Sequence, residues 1–288
     1  MADGDLLKQN VMRFAEMSDL EKHDCTVEEL EEFEPHVSRG NVIYCGVDYA
    51  AILREVEGDP GGCDVILWDG GNNDFPFYVP DLMVTVVDPL RSGHELSYWP
   101  GAVTLRLADV VVINKIDSAT PDEIATVRKN VEAVAPTATV VDAASPLSVD
   151  DPTIIKGQRV LVIEDGPTVT HGDMTTGAAK VAATKFGAAE LVDPRPFLKG
   201  SLVDMFALYP HITDMLPAEG YGDQMLKDME DTVNAVDCDA VIVGTPIDLA
   251  RIINIKKPTT RVYYDLQEIG RPNLTDVIDE FVSTKGLA

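Results

Sequence analysis

The chain of 288 residues carries 49 acidic and 23 basic residues, so its formal net charge at pH 7 is −26. Such a charge repels the phosphates of DNA and RNA and argues against a nucleic-acid-binding protein. Hydrophobic residues make up 45 % of the chain, enough for an ordinary core, so the acids do not mark a disordered tail. Because the acids are dispersed, we favour adaptation to a salt-rich cytoplasm over an acidic docking surface for a basic partner.

The cysteines and the hydropathy pattern indicate where the protein works. The four cysteines are scattered, without a Cys-x-x-Cys pair or the spacing of zinc ligands, which favours reduced thiols inside a cell. No uncharged apolar run reaches the length of about 18 residues that a membrane helix needs, and the start lacks a signal-peptide pattern. We therefore expect a cytoplasmic protein that binds no membrane.

Strand and helix patterns alternate along the chain. The first 40 residues are predicted to be mainly helical, and a short strand is expected at 41–44. Further strands are predicted at 64–69, 82–88, 109–113, 138–142, 159–163, 189–192, 239–243 and 260–264. Further helices are predicted at 121–133, 175–186, 201–208, 222–235, 246–253 and 273–283. This alternation predicts an α/β protein with a three-layer, mostly parallel sheet of the P-loop-NTPase-like (Rossmannoid) type and a C-terminal α/β lobe.

A domain boundary is expected near residue 150, where Asp150-Asp151-Pro152 separates two sets of strands and helices. We interpret residues 1–150 as a nucleotide-binding part without a Walker A loop. Residues 151–288 are interpreted as a C-terminal substrate-binding part.

The most informative stretch is Asn114-Lys115-Ile116-Asp117, which follows the apolar run 108–113. The β-branched run predicts a buried parallel strand, so the motif lies at the strand's carboxyl end, where open α/β sheets bind ligands. An aspartate there can accept hydrogen bonds from N1–H and the exocyclic amine of guanine, while the lysine stem covers the purine. The alternative is a polar turn in which Asp117 caps the next helix.

Two neighbouring segments favour nucleotide chemistry. Residues 64–71 run from apolar residues into Asp69 and two glycines, the pattern of a Walker B strand whose carboxylate holds Mg²⁺ directly or through water. Residues 139–145 end in Ala144 and Ser145, which is typical of the loop that completes a guanine pocket. The pattern Gly-x-x-x-x-Gly-Lys-Ser/Thr, which cradles terminal phosphates, does not occur in the chain. The phosphate loop therefore lies on a separate segment or has been lost.

Cationic residues follow two of the predicted strands. Arg91 and His94 come directly after strand 82–88, where they can contact a phosphate or form a plain surface turn. Arg195 is held between two prolines after strand 189–192, as a phosphate clamp or as part of a rigid turn.

Two other strand ends precede helices and predict anion sites. His171 and Gly172 follow two threonines after strand 159–163, and hydroxyls, amides and an imidazole before a helix suit an anion. Thr245 follows strand 239–243 and opens another helix.

Five strings of residues carry a resemblance to a known family. They are Trp68-Asp69-Gly70-Gly71-Asn72-Asn73-Asp74-Phe75-Pro76-Phe77, Asp88-Pro89-x-Arg91-x-Gly93-His94-Glu95, Asn114-Lys115-Ile116-Asp117, Glu164-Asp165-Gly166-Pro167-Thr168-x-Thr170-His171-Gly172 and Gly244-Thr245-Pro246-Ile247-Asp248-Leu249. Along nearly its full length the sequence resembles the cyclic 2,3-diphosphoglycerate synthetase family and its bacterial and archaeal relatives described as GTPases. Family members close 2,3-diphosphoglycerate into a cyclic phosphoanhydride with ATP, and they carry an additional N-terminal region with the phosphate loop.

The resemblance implies phosphoryl transfer from a nucleotide to the acid, followed by ring closure, with Mg²⁺ and ATP or GTP as cofactors. The implied catalytic residues are Asp69, His94 and His171, and Asp69 is also the implied metal ligand. The implied nucleotide-binding residues are Asn114, Lys115, Asp117, Ala144 and Ser145. The substrate phosphates would be bound by Arg91, Gly172, Arg195 and Thr245. Expected partners are a small phosphorylated substrate, a separate N-terminal phosphate-loop segment and, in a homo-oligomer, further copies of the chain.

Two other functions stay open, a regulatory or chaperone-type GTPase and a non-catalytic nucleotide-binding remnant. The base loop indicates guanine, whereas the family's named reaction uses ATP. Asp117 cannot make the same paired bonds to adenine, because N1 of adenine is an acceptor.

The dispersed negative charge predicts that stability depends on salt. We expect the thermal unfolding midpoint to fall as KCl is lowered from molar concentration to about 0.1 M, where the Debye length grows to about 10 Å. A midpoint that is unchanged or rises on this dilution would contradict the adaptation to salt.

Overall fold

The computed structural model describes residues 6–71, 75–170, 175–218 and 223–287. The strands are β1 Met12–Phe14, β2 Ile43–Cys45, β3 Val84–Val87, β4 Val110–Ile113, β5 Thr139–Ala144, β6 Leu147–Val149, β7 Arg159–Asp165, β8 Glu190–Leu191, β9 Leu216–Ala218, β10 Ala240–Val243, β11 Thr259–Tyr264 and β12 Gln267–Glu268. The helices are α1 Met17–Lys22, α2 Val27–Val37, α3 Tyr49–Glu57, α4 His94–Ser97, α5 Gly101–Leu107, α6 Pro121–Val134, α7 Gly166–Thr170, α8 Ala178–Lys185, α9 Ser201–Leu208, α10 Asp223–Ala235, α11 Leu249–Ile252 and α12 Leu274–Lys285.

The chain forms two compact units. The first unit contains residues 1–56 and 147–263, and the second contains residues 57–146 and 264–288. Most strand pairs in both units are parallel and helices flank the sheets, which confirms the predicted α/β class. A P-loop-like variant of this class stays a prediction. The division near residue 150 into a nucleotide-binding and a substrate-binding part is a division of function, and it also stays a prediction.

The second unit has a four-stranded sheet in the order β12–β5–β4–β3. Strands β3, β4 and β5 are parallel, and β12 pairs antiparallel with β5. On one face of the sheet, Val111 and Ile113 of β4 belong to an apolar cluster with α5 and α6. On the other face, Val110 and Val112 pack in a cluster with Leu274 of α12. Strand β4 is therefore covered on both sides, as its continuous run of β-branched residues predicts.

Helix α6 begins at Pro121, and three residues separate it from the end of the motif at residues 114–117. The Thr120 hydroxyl accepts a hydrogen bond from the Glu123 N–H at 3.4 Å, and the Glu123 carboxylate accepts from the Thr120 N–H at 2.8 Å. Pro121 occupies the first helical position, where its missing N–H costs nothing. This reciprocal capping box defines the start of the helix and so limits the length of the loop after β4.

The first unit has an antiparallel pair, β1 and β2, and a larger sheet in the order β6–β11–β10–β7–β8, with β9 also beside β7. Strand β7 is parallel to β8, β9 and β10, and β10 is parallel to β11. From β7 the chain passes to β8 and β9 on one side and then crosses to β10 on the other side. Ligands of open α/β sheets bind outside the carboxyl ends of the strands at such a switch point. In the first unit, this point lies between Glu164 of β7 and Gly244 after β10.

The predicted strand at 64–69 is wrong. These residues form no strand in the structure, and Val65, Ile66 and Leu67 are 50, 43 and 83 % exposed. Their composition suits a strand, but within the described residues no neighbouring strand pairs with them. A β-strand is stabilised by its neighbours, so an apolar pattern without a pairing partner does not form one.

The N-terminal region also differs from its prediction. Strand β1 lies among residues expected to be mainly helical, because it pairs with β2 in the register Met12 to Cys45, a contact distant in sequence. Within the described part of the chain, no helix has the length and apolarity needed to cross a bilayer.

Candidate functional site

In the second unit, the carboxyl ends of β3, β4 and β5 lie side by side. Asp88 follows β3, residues 114–117 follow β4, and Ser145 follows β5. The parallel register pairs Val87 with Ile113 and Ile113 with Asp142, so the three loops leave the same edge of the sheet. The sequence-predicted nucleotide-binding residues are therefore brought together by adjacent strands.

Side-chain hydrogen bonds join the loop after β4 to the loop after β5. Asn114 Oδ1 accepts from the Lys115 N–H at 2.8 Å and from the Ser145 hydroxyl at 3.1 Å. Asp117 Oδ1 accepts from the Ser145 N–H at 3.2 Å, and the Ile116 N–H donates to the Ala143 carbonyl at 3.1 Å. Asp117 is exposed, so its carboxylate is accessible to a ligand while one oxygen is oriented by Ser145.

Ala144 is buried beneath this pair of loops, with 4 % exposure. It ends β5 and pairs with Gln267 of the antiparallel strand β12. Its role is therefore to hold the backbone that carries Ser145, and a small side chain suits that packed position.

Lys115 combines an unusual backbone with an ion pair. Its φ is +58°, a left-handed conformation that costs a non-glycine residue about 1–3 kcal/mol. Its Nζ lies 2.8 Å from Asp88 Oδ2, and the two side chains are 43 and 25 % exposed. This ion pair places the lysine stem across the ends of β3 and β4. Strain at a loop residue of this kind is a mark of sites where side-chain position matters more than stability.

Arg91 and His94 lie in the segment directly after β3. Asp88 caps the short helical turn Pro89–Arg91 by accepting the Leu90 N–H at 3.0 Å. His94 opens α4 and is exposed, and its ring centroid lies 4.7 Å from that of Tyr98. Both cationic candidates are thus on the surface of the second unit, just beyond the strand ends, and their contact with phosphate stays a prediction.

Asp69 lies in the exposed segment at residues 64–71. In the described part of the chain, no group of three or more histidine, cysteine, aspartate or glutamate side chains is arranged to hold a metal ion. Mg²⁺ often uses only one or two carboxylates, with water and substrate phosphates completing its shell. The assignment of Asp69 as a magnesium ligand therefore stays a prediction.

The first unit contains a second polar cluster, centred on Glu164 at the switch point. Glu164 has no exposed surface. Its Oε2 accepts the Ala179 N–H at 3.0 Å and its Oε1 accepts the Lys180 N–H at 2.7 Å, so the carboxylate caps α8. Burial raises the pKa of Glu164 to about 7, although these two hydrogen bonds and the nearby Lys180 ammonium favour the ionised form. A carboxyl group of this kind is suited to proton transfer near neutral pH.

Two glycines allow the close approach around Glu164. A Cβ atom added to Gly177 would lie 2.3 Å from Glu164 Oε2. A Cβ atom added to Gly244 would lie 2.6 Å from the Ala179 nitrogen and 2.9 Å from Glu164 Oε2. Neither position can accept a side chain without movement of the backbone or of the buried carboxylate. Sequence reasoning did not select Glu164 as a site residue, although an acid that ends an apolar strand was a usable signal.

The other predicted anion-binding residues of the first unit have neighbours of their own. The Arg195 guanidinium pairs with the Asp193 carboxylate through Nε at 2.9 Å and Nη2 at 2.6 Å, which lowers the pKa of Asp193. Thr245 is buried, and its hydroxyl accepts the Ile247 N–H at 3.4 Å. His171 and Gly172 lie outside the described residues, so their assignment stays a prediction.

Because Lys115 has a positive φ, we expect glycine to be more stable than alanine at this position, the reverse of their order in a helix. Glycine adopts a positive φ freely, whereas alanine keeps the strain, so Lys115→Gly should be about 1 kcal/mol more stable than Lys115→Ala. Urea unfolding of both variants measures the difference. The control is Lys129 in α6, where glycine should be about 1 kcal/mol less stable than alanine. The same order at both positions would rule out backbone strain at Lys115.

The raised pKa of Glu164 predicts a pH-dependent stability. The folded state keeps the proton up to about pH 7, whereas the usual pKa is 4.5. The contribution of Glu164 is therefore fully present below pH 4.5 and is lost as the pH rises through 7. Relative to Glu164→Gln, which stays neutral, the parent should lose stability, by an amount of order 3 kcal/mol, between pH 5 and 8.

Urea unfolding at several pH values in molar KCl would measure this change, with the exposed Glu280→Gln as the control. A parent-to-Gln difference that stays constant over the whole range would show that Glu164 remains ionised in the fold.

One known protein is similar to nearly the whole chain. No protein-family model matches the chain. The chain is 57 % identical over 281 residues to arginine synthetase ArcE from Thermococcus kodakarensis. The alignment covers 98 % of this chain but 62 % of that relative, so the chain spans less than two thirds of the relative's length. The resemblance to cyclic 2,3-diphosphoglycerate synthetases gains no support from these comparisons and stays a prediction.

Proposed function

We propose that this chain is the larger part of a nucleotide-dependent synthetase, and that it binds the nucleotide base through residues 114–117 and Ser145. The observation that carries the proposal is the hydrogen-bonded pair of loops at the ends of β4 and β5, in which Asn114 and Asp117 both bond to Ser145. The ligase-type activity is supported by the name of the Thermococcus relative, a synthetase that shares 57 % of its aligned residues with this chain.

A synthetase of this class works in two steps. The terminal phosphoryl group of the nucleotide is transferred to an oxygen of the substrate, and the nucleoside diphosphate leaves. A nucleophile then attacks the activated atom, and inorganic phosphate leaves. The protein contributes mainly position and charge neutralisation. Arg91 and His94, just beyond the end of β3, would supply such neutralisation, and Mg²⁺ held by Asp69 would add to it.

The relative's name makes arginine the first product to test. Formation of a guanidinium group by this route would require phosphorylation of a ureido oxygen, followed by attack of ammonia. The alternative product is a cyclic phosphoanhydride of 2,3-diphosphoglycerate, which the resemblance of the five sequence strings supports. Both reactions share the first step and differ in the nucleophile, which is ammonia in one case and the second phosphate of the substrate in the other.

In the product assay, the chain is mixed with the region of the Thermococcus relative that lies outside the alignment. The mixture is supplied with Mg²⁺ and with ATP or GTP. Arginine formed from a ureido amino acid and ammonia would support the first candidate, and a cyclic diphosphate would support the second. Nucleotide hydrolysis that needs neither substrate would overturn both in favour of a GTPase switch.

Base recognition gives a sharper prediction. Asp117→Asn keeps an oxygen for the Ser145 N–H but replaces a carboxylate oxygen with an amide donor. If Asp117 reads guanine, the variant should lose about 1.5–3 kcal/mol of GTP binding, roughly tenfold or more, and should gain affinity for xanthosine triphosphate. Calorimetric titration with GTP, xanthosine triphosphate and ATP measures this exchange.

The matched control for Asp117→Asn is Asp122→Asn, an exposed carboxylate on the first turn of α6. An unchanged order of preference among the three nucleotides would remove residues 114–117 from the base site.

A further inference from the structure

Strand β3 forms an open edge of the sheet in the second unit. Among the described residues it pairs with β4 alone. The Met83 carbonyl accepts from the Val110 N–H at 3.0 Å, and the Val87 carbonyl accepts from the Asn114 N–H at 3.1 Å. Because the peptide groups of a strand alternate in direction, the N–H and C=O groups of Val84 and Val86 face the other side. Among the described residues, this edge therefore presents a row of hydrogen-bonding groups with no strand beside it.

One face of β3 also lacks the cover that its neighbour has. Val84 and Val86 are 45 and 48 % exposed, whereas Val110 and Val112, their register partners on β4, are each 1 % exposed. The opposite face of β3 is buried, since Thr85 bonds to the Thr104 carbonyl of α5 at 3.3 Å. Parallel strands are normally covered on both faces. The apolar layer that covers Val110 and Val112 of β4 thus does not extend over Val84 and Val86 of β3.

The segment 64–69 supplies an independent sign of a missing strand in the same unit. Its sequence is that of a buried strand, yet the segment has no strand partner among the described residues and exposes three apolar side chains. One additional strand would provide a neighbour both for the open edge and for an apolar segment that forms no strand among the described residues.

We propose that β3 is the docking edge for a parallel strand and its following helix, contributed by polypeptide outside these 288 residues. The occupant corresponds to the region by which the Thermococcus relative is longer, since the alignment leaves more than a third of that protein uncovered. The added strand pairs with Val84 and Val86, its helix covers their exposed side chains, and its far edge receives residues 64–69.

A strand–loop–helix unit docked in this way has a defined relation to the candidate site. In a parallel sheet its loop leaves the same edge as Asp88 and Asn114, because all the strands end there. Phosphate loops have this strand–loop–helix architecture, and their pattern Gly-x-x-x-x-Gly-Lys-Ser/Thr does not occur in the 288 residues. A phosphate-binding role for the docked loop rests on the proposed function, whereas the docking itself rests only on the exposed edge and face.

The test mixes the purified chain with the separately produced additional region of the Thermococcus relative, without nucleotide. We expect a one-to-one complex by calorimetry. Hydrogen exchange in the complex should slow at the amides of Val84 and Val86 and across residues 65–69. No complex, or a complex in which these amides exchange as in the isolated chain, would overturn the proposal.

Two kinds of variant separate docking from folding. Val86→Pro removes an N–H that faces the open edge without removing a bond to β4, and it should weaken the complex by at least about tenfold. Val86→Lys places a charge on the face that the helix would cover and should also weaken binding. The matched control is Val181→Lys on α8 of the first unit, where the valine is 45 % exposed.

Thermal unfolding and exchange at β4 report whether each variant still folds. If Val86→Pro fails to fold, the comparison of Val86→Lys with Val181→Lys decides, and equal binding by these two variants would overturn the proposal. Self-association of the chain through β3 would also overturn it, because a second copy would then be the occupant. A complex that forms at β3 but binds no nucleotide would leave the docking intact and refute the proposed function.

Discussion

The candidate base site depends on the hydrogen bonds by which Ser145 joins two loops that are 28 residues apart along the chain. The Ser145 hydroxyl donates to Asn114 and the Ser145 N–H donates to Asp117, so two hydrogen bonds connect the loop after β4 to the loop after β5. Without this connection, residues 114–117 would form an ordinary turn after a buried strand. With it, an exposed carboxylate is held in a defined direction at the edge where parallel sheets bind ligands.

The two units use acidic residues at strand ends in different ways. In the second unit, Asp117 is exposed and oriented, which suits recognition of a ligand. In the first unit, Glu164 is buried at the switch point and held by two amides of α8, which suits control of a proton. The free-energy cost of placing the carboxylate also differs. A buried carboxylate loses its hydration and needs both hydrogen bonds to compensate, whereas an exposed carboxylate stays hydrated.

The excess of negative charge limits how an anionic substrate can bind. Three cations in the two candidate regions have acidic neighbours: Lys115 pairs with Asp88, Arg195 with Asp193, and Lys180 with Asp214. A phosphate group would have to compete with these carboxylates or bring a metal ion with it. Exposed pairs are worth little in stability and can be exchanged at low cost, so Lys115 and Arg195 remain available to a ligand of higher charge.

The sequence by itself determined the α/β class, most of the strands and helices, and the loop at residues 114–117, because buried β-branched runs and capping boxes are local signals. Tertiary structure decided three further properties. It brought Ser145 to Asn114, it buried Glu164 at a switch point, and it left residues 64–69 outside every strand of the described part of the chain. These outcomes depend on which strands become neighbours, and strand pairing is a contact between distant residues that a local pattern does not encode. An apolar run such as 64–69 therefore specifies the capacity to form a strand, whereas only the presence of an adjacent strand makes it one.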